Sequence, residues 1–78
     1  MQPNDLIAEK KLAALAKKFR KAAGKTKADV ARELNVAAPT VFSAEERPEM
    51  SLAKLRIRMI EAYSPYRVTG PVYLIEKK

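Results

Sequence analysis

Apolar residues recur at helical spacing in the first third of the chain. They occupy positions i, i+3, i+4, i+7 and i+11, namely Leu12, Leu15, Ala16, Phe19 and Ala23. This spacing predicts a helix that begins at Asn4 or Asp5, continues to about Ala23 and ends at Gly24. Lysines cover the opposite face, which is typical of a solvated surface and less often of a helix lying on a membrane.

Two shorter apolar patterns follow and predict a pair of helices joined by a tight turn. Thr26 can cap the first helix, because its hydroxyl can accept a backbone N–H. Asn35 tolerates the left-handed backbone that the turn needs, and Pro39 suits the first turn of the second helix. The predicted inner faces contain Val30, Ala31, Leu34, Val41 and Ala44.

The next segment predicts a fourth helix, which follows a loop around Pro48 and is capped by Ser51. Its expected apolar face consists of Leu52, Leu55, Met59, Ala62 and Tyr63. Ile57 and Ile60 lie partly off this face, so they either contact a partner subunit or cover the C-terminal segment. Beyond Pro65, residues 66–76 contain alternating and β-forming residues that predict one or two short strands.

Charge and composition narrow the functional classes. Sixteen Lys and Arg residues against nine Asp and Glu give a net charge of +7, which favours an anionic partner, nucleic acid before a membrane. The alternative is a basic surface that only keeps a small protein soluble. Cysteine and histidine are absent, and no glycine-rich phosphate loop occurs, so we expect no enzyme, metal site or cofactor. The lack of a long apolar run or signal peptide favours the cytoplasm.

Seven residues of the chain match, in order and spacing, a pattern found in one family of regulators. These residues are Arg20, Gly24, Thr26, Ala31, Val36, Val41 and Glu45. Through them, residues 12–63 resemble the helix-turn-helix region of the Cro and repressor family of bacterial and phage transcriptional regulators. Asn35 replaces the usual turn glycine, and Lys25, Ala37 and Ala44 also depart from the pattern.

The resemblance implies a mainly α fold of four helices, to which the residues after Pro65 add a short C-terminal β element. Residues 1–78 would form one domain, with a helix-turn-helix core at about 26–46 and a β segment at about 66–76. An ion pair between Arg20 and Glu45 would hold the second helix of this motif in place. The alternative is that these two side chains are unpaired surface charges.

The resemblance also implies which residues meet DNA, since the second helix of such a motif enters the major groove. The expected phosphate contacts are Lys25, Thr26, Lys27 and Arg47. The expected base contacts are Ala38, Pro39, Thr40, Ser43 and Glu46. This set lacks Gln, Asn and Arg for bidentate base readout. Either specificity depends on DNA shape, or the helix serves another purpose.

We therefore expect sequence-directed binding of double-stranded DNA by a transcriptional repressor that acts as a homodimer. The alternative is a protein-interaction module on the same fold, such as an antitoxin-like binder. Dimerisation is assigned to Val72, Tyr73, Leu74 and Ile75. This strand either pairs with its symmetry mate or folds back on residues 66–68 and dimerises through its face. In a single chain, the hairpin would pack on the surplus apolar side of helix 51–63.

Overall fold

The computed structural model describes residues 9–69 and 73–78, which form four helices and a two-stranded antiparallel sheet. The helices are α1 (Glu9–Ala22), α2 (Lys27–Leu34), α3 (Ala38–Glu46) and α4 (Ala53–Tyr63), and the strands are β1 (Tyr66–Thr69) and β2 (Leu74–Lys77). The prediction of a mainly helical chain with a short C-terminal β element is confirmed. The predicted first turn of α1, from Asn4 or Asp5, lies outside the described residues.

Two left-handed residues end α1 and α2, as their sequence positions predict. Gly24 has φ 72° and Asn35 has φ 58°. After α1, the Lys25 amide donates to the Arg20 carbonyl (3.1 Å), and the Gly24 amide donates to Lys21 (3.0 Å). These bonds satisfy carbonyl groups that the helix end leaves unpaired. They turn the chain after α1 and lead it into α2, which packs against α3.

All six elements contribute to one hydrophobic core. Its buried members are Leu12, Ala16, Val30, Ala31, Val41, Ala44, Leu55, Met59, Ile60, Val68 and Ile75. Leu15, Phe19 and Leu34 are partly buried against this cluster. Ala23 is exposed, so its predicted place in the core is wrong. The reason is that α1 ends at Ala22, which leaves Ala23 in the turn.

The buried face of α4 differs from the predicted one. The helix has Leu52 at its N-cap without a side-chain cap bond, so the predicted cap by Ser51 is wrong. Ile60 is fully buried whereas Ala62 is exposed, because the C-terminal strands pack over the Ile60 side of the helix. Arg56, which is not part of the predicted apolar face, is also fully buried.

The C-terminal strands form a hairpin within the chain. Val68 of β1 pairs with Ile75 of β2, and both side chains join the core beside Ile60. The rings of Phe19 and Tyr66 lie 5.8 Å apart and connect the hairpin to α1. Of the predicted alternatives, β2 therefore folds back on residues 66–68, and the resulting hairpin packs on the side of α4 that carries Ile60.

Candidate nucleic-acid interface

The N-terminus of α2 is stabilised by a reciprocal cap. The backbone N–H of Asp29 donates to the Thr26 hydroxyl (3.0 Å), and the backbone N–H of Thr26 donates to the Asp29 carboxylate (2.9 Å). Arg32 donates to the same carboxylate at 2.8 Å. The bond from the Thr26 amide, followed by the bond from Arg32, lowers the pKa of Asp29 from 3.8 to about 2. The chain's own carboxylate thus occupies the anion site that the sequence predicts at this helix end.

The cap fixes the position of Thr26. Its hydroxyl and its amide are both engaged by Asp29, so Thr26 is a structural cap, as predicted, and its contact with a phosphate stays a prediction. The sequence analysis missed Asp29, although Thr-x-x-Asp before an apolar run is a signal for a reciprocal cap.

The lysines predicted to contact phosphates are oriented by neighbouring carboxylates. Lys25 donates to Glu33 at 2.9 Å, and Glu33 also accepts from the Tyr63 hydroxyl at 2.6 Å. The bond from Tyr63 and then that from Lys25 lower the pKa of Glu33. Burial and the bond to Glu33 raise the pKa of Tyr63 to about 12. This cluster joins the loop before α2 to α2 and α4.

Lys27 lies where α2 meets α3. Its ammonium group is 4.0 Å from the Glu45 carboxylate and 5.5 Å from the centroid of the Phe42 ring. Arg47, the last predicted phosphate contact, is exposed at the end of α3. Of the four predicted phosphate contacts, Thr26 therefore caps α2, Lys25 and Lys27 lie beside carboxylates, and Arg47 is exposed.

The predicted base contacts lie on one helix and form the surface that we call the α3 outer face. This face consists of the five predicted base contacts and one further residue, Phe42. Its members are Ala38, Pro39, Thr40, Phe42, Ser43 and Glu46. Ala38 and Pro39 are exposed, whereas Thr40 and Ser43 are half-buried. The sequence analysis counted Phe42 as outward-facing but assigned it no role, and 46% of it is exposed.

Glu46 is exposed and lies beside lysines from α1 and α2. The Lys17 ammonium donates to its carboxylate at 2.8 Å. This bond, together with the charges of Lys17, Lys27 and Lys21, lowers the pKa of Glu46. Lysines from α1 and α2 thus border the α3 outer face, and one of them engages the carboxylate that was predicted to contact a base.

Arg20 and Glu45 form a buried ion pair between α1 and α3. Arg20 Nε donates to Glu45 Oε2 at 2.5 Å, and Nη2 donates to Oε1 at 3.0 Å. A third bond joins Arg20 Nη1 to the Lys25 carbonyl at 2.7 Å. The bond to Glu45 raises the pKa of Arg20, which keeps the guanidinium charged. One side chain thus holds α1, α3 and the loop before α2 together.

Arg56 performs a similar task at the same, C-terminal end of α3. It donates to the carbonyl groups of Ala44 (2.8 Å), Arg47 (2.7 Å) and Met50 (2.9 Å). The end of a helix leaves carbonyl groups unpaired and favours a positive charge nearby. The C-terminal end of α3 is therefore held by two arginines, one from α1 and one from α4.

A groove lies away from these residues, along the first two turns of α4. Its volume is about 530 Å³, and it is lined by Ser51, Leu52, Ala53, Lys54, Leu55 and Arg58. None of the predicted site residues lines it. The floor is apolar, whereas Lys54 and Arg58 are exposed at its rim.

Residues 9–69 and 73–78 contain neither a membrane-spanning helix nor a cluster of metal ligands. In this part of the chain, no helix has the length and apolar character needed to cross a membrane. The acidic side chains of the same residues form no group of three or more that would hold a metal ion.

Comparison of the chain with protein-family models, curated proteins and solved structures gives no match.

Proposed function

We propose that the chain binds double-stranded DNA, with α2 and α3 acting as a helix-turn-helix motif of the Cro and repressor type. The observation that carries this proposal is the α3 outer face, where Ala38, Pro39 and Phe42 are exposed and the Lys17 and Lys27 ammonium groups lie alongside. In such a motif, the second helix enters the major groove while surrounding cations contact phosphates. The net charge of +7 supports an anionic partner.

In this proposal the predicted residues take modified roles. Lys25, Lys27 and Arg47 contact phosphates, while Thr26 acts as the cap that orients α2. Ala38, Pro39, Thr40 and Ser43 face the bases. Glu46 keeps its proposed base contact, with the Lys17 ammonium beside its exposed carboxylate. Occupation of promoter DNA by this surface would exclude other proteins, so we propose that the chain is a transcriptional repressor.

We test the phosphate contact with Lys27→Gln, which removes a charge beside α3. Affinity for every duplex should fall, and the slope of log affinity against log salt should decrease by about 0.9, because one fewer counterion is released. The measurement is fluorescence anisotropy with labelled duplexes over a salt series. The matched control is Lys54→Gln, which removes the same charge from the exposed surface of α4. Equal slopes for the two variants would contradict the assignment.

We further propose that the protein binds DNA as a homodimer, with β2 at the interface. β2 is an edge strand of a two-stranded sheet, and an exposed edge offers unpaired backbone groups to a second chain. Ile75 is fully buried within its own chain, so its side chain is not available to a partner. Tyr73 and Leu74 are half-buried and remain available, whereas Val72 lies outside the described residues.

Analytical ultracentrifugation tests this arrangement. The protein should sediment at twice the chain mass at micromolar concentration. Leu74→Lys should weaken the dimer tenfold or more, because Leu74 points to the sheet face opposite Ile75 and the substitution places two like charges together. Ala28→Lys adds the same charge on the exposed surface of α2 and should leave the dimer intact. A wild-type protein that sediments as a monomer would contradict the proposal.

The groove at α4 favours protein binding as a second candidate function. Its apolar floor and basic rim suit a peptide segment that carries an apolar anchor flanked by carboxylates. The salt series separates the two functions. Duplex binding through several phosphates weakens steeply with salt, whereas binding anchored by apolar contact does not.

A further inference from the structure

Phe42 is an exposed aromatic residue to which the proposed function has so far assigned no role. Phe42 is 46% exposed. Among the large apolar residues that the structure describes, only Met50, at 42%, is comparably exposed. Ala38 lies one helical turn before it and Pro39 three residues before it, and both are exposed. Residues at these spacings adjoin on a helix surface. The α3 outer face therefore carries a continuous apolar strip with an aromatic ring at its end.

The Phe42 ring lies beside a cation. The Lys27 ammonium is 5.5 Å from the ring centroid, within the range of a cation–π interaction. The same ammonium is 4.0 Å from the buried carboxylate of Glu45, which Arg20 holds in place. The Glu45 carboxylate therefore helps to position the Lys27 ammonium group next to the Phe42 ring. A surface of this kind suits a partner that presents an apolar group next to an anionic one.

We propose that Phe42 determines specificity by contacting the C5-methyl group of thymine in the major groove. The thymine methyl is the apolar feature among the base edges there, and the other edges present hydrogen-bond donors and acceptors. No side chain of the α3 outer face offers the amide or guanidinium group that reads those edges bidentately. Lys27 would then contact the phosphate beside the same base. This inference rests on the proposed DNA binding and adds a preference for duplexes containing thymine.

The test compares a short A·T-rich duplex with the same duplex in which deoxyuridine replaces thymine, so that the methyl groups are absent. The wild-type protein should bind the thymine duplex about fourfold more tightly for each methyl group in contact. Phe42→Ala should bind the two duplexes equally and keep the wild-type salt slope. The control is Met50→Ala, which removes the other exposed apolar side chain and should preserve the preference. Circular dichroism checks that each variant is folded.

The outcomes separate this inference from the proposed function. Salt-dependent binding without a preference for thymine would overturn the role of Phe42 and leave DNA binding in place. A preference that persists in folded Phe42→Ala would also overturn it and assign the methyl contact to Ala38 or Pro39. Absence of duplex binding at low salt would overturn both the role of Phe42 and the proposed function.

Discussion

Replacing Arg56 with methionine should lower the free energy of unfolding by about 3 kcal/mol or more. The guanidinium group is fully buried and donates to three backbone carbonyls at the end of α3 and in the following loop. Methionine fills much of the same space but donates no hydrogen bond. Hydrogen bonds from a charged donor contribute about 1.5–3 kcal/mol each. The loss is largest at the buried Ala44 carbonyl, because the Arg47 and Met50 carbonyls are partly buried and each also accepts from a backbone N–H.

Urea denaturation followed by circular dichroism measures this loss. The matched control is Arg58→Met on the same helix, since Arg58 is exposed and makes one bond to the Leu34 carbonyl at 2.7 Å. Its loss should cost less than about 1 kcal/mol. Similar losses for the two variants would show that the three carbonyls do not depend on Arg56.

Breaking the Arg20–Glu45 pair from one side should have a comparable effect. Arg20→Met would leave the Glu45 carboxylate buried without its main partner, and uncompensated buried charges of this kind cost about 3–5 kcal/mol. Glu45→Gln in the same background should recover part of this loss, because the charge is then absent. The double-mutant cycle should give a coupling near the upper end of about 0.5–3 kcal/mol.

The Lys17–Glu46 pair provides an internal control between the same two helices. Its N–O distance is 2.8 Å, but its side chains are 37% and 34% exposed, against 8% and 0% for Arg20 and Glu45. Exposed pairs contribute about 0–1 kcal/mol because solvent screens them. If the coupling of Arg20 with Glu45 did not exceed that of this pair, the buried pair would have no special role in holding α3.

Local chemistry was sufficient to predict the helices and the turns between them. Gly24 and Asn35 adopt left-handed conformations because residues of these two types accept them at low cost. The Thr26 cap likewise depends on contacts with a residue three positions away. Such interactions lie within a few residues of each other, so the sequence pattern contains both partners. The apolar stripe of α1 was predictable for the same reason, except at Ala23 where the helix has already ended.

The candidate site was predictable in part. The outward positions of α3 follow from helical spacing, and the Arg20–Glu45 pair follows from the resemblance to a known family. The local signals for Asp29 and Phe42 were present in the sequence but received no role in the prediction. The pairing of Lys17 with Glu46 could not be foreseen, because 29 positions separate them and their contact depends on how α1 crosses α3.

Packing over long distances in the sequence determined the remaining features. Arg56 occupies a position on the apolar stripe of α4, between Leu52 and Met59, but its charge predicts exposure. It is buried because the carbonyl groups at the end of α3, nine to twelve positions earlier, meet it there and satisfy its donors. Equally, the run of β-forming residues that ends at Ile75 is compatible with pairing inside the chain or with a second copy. The fold-back on β1 became possible because α4 offers Ile60 as a surface on which Val68 and Ile75 are buried together.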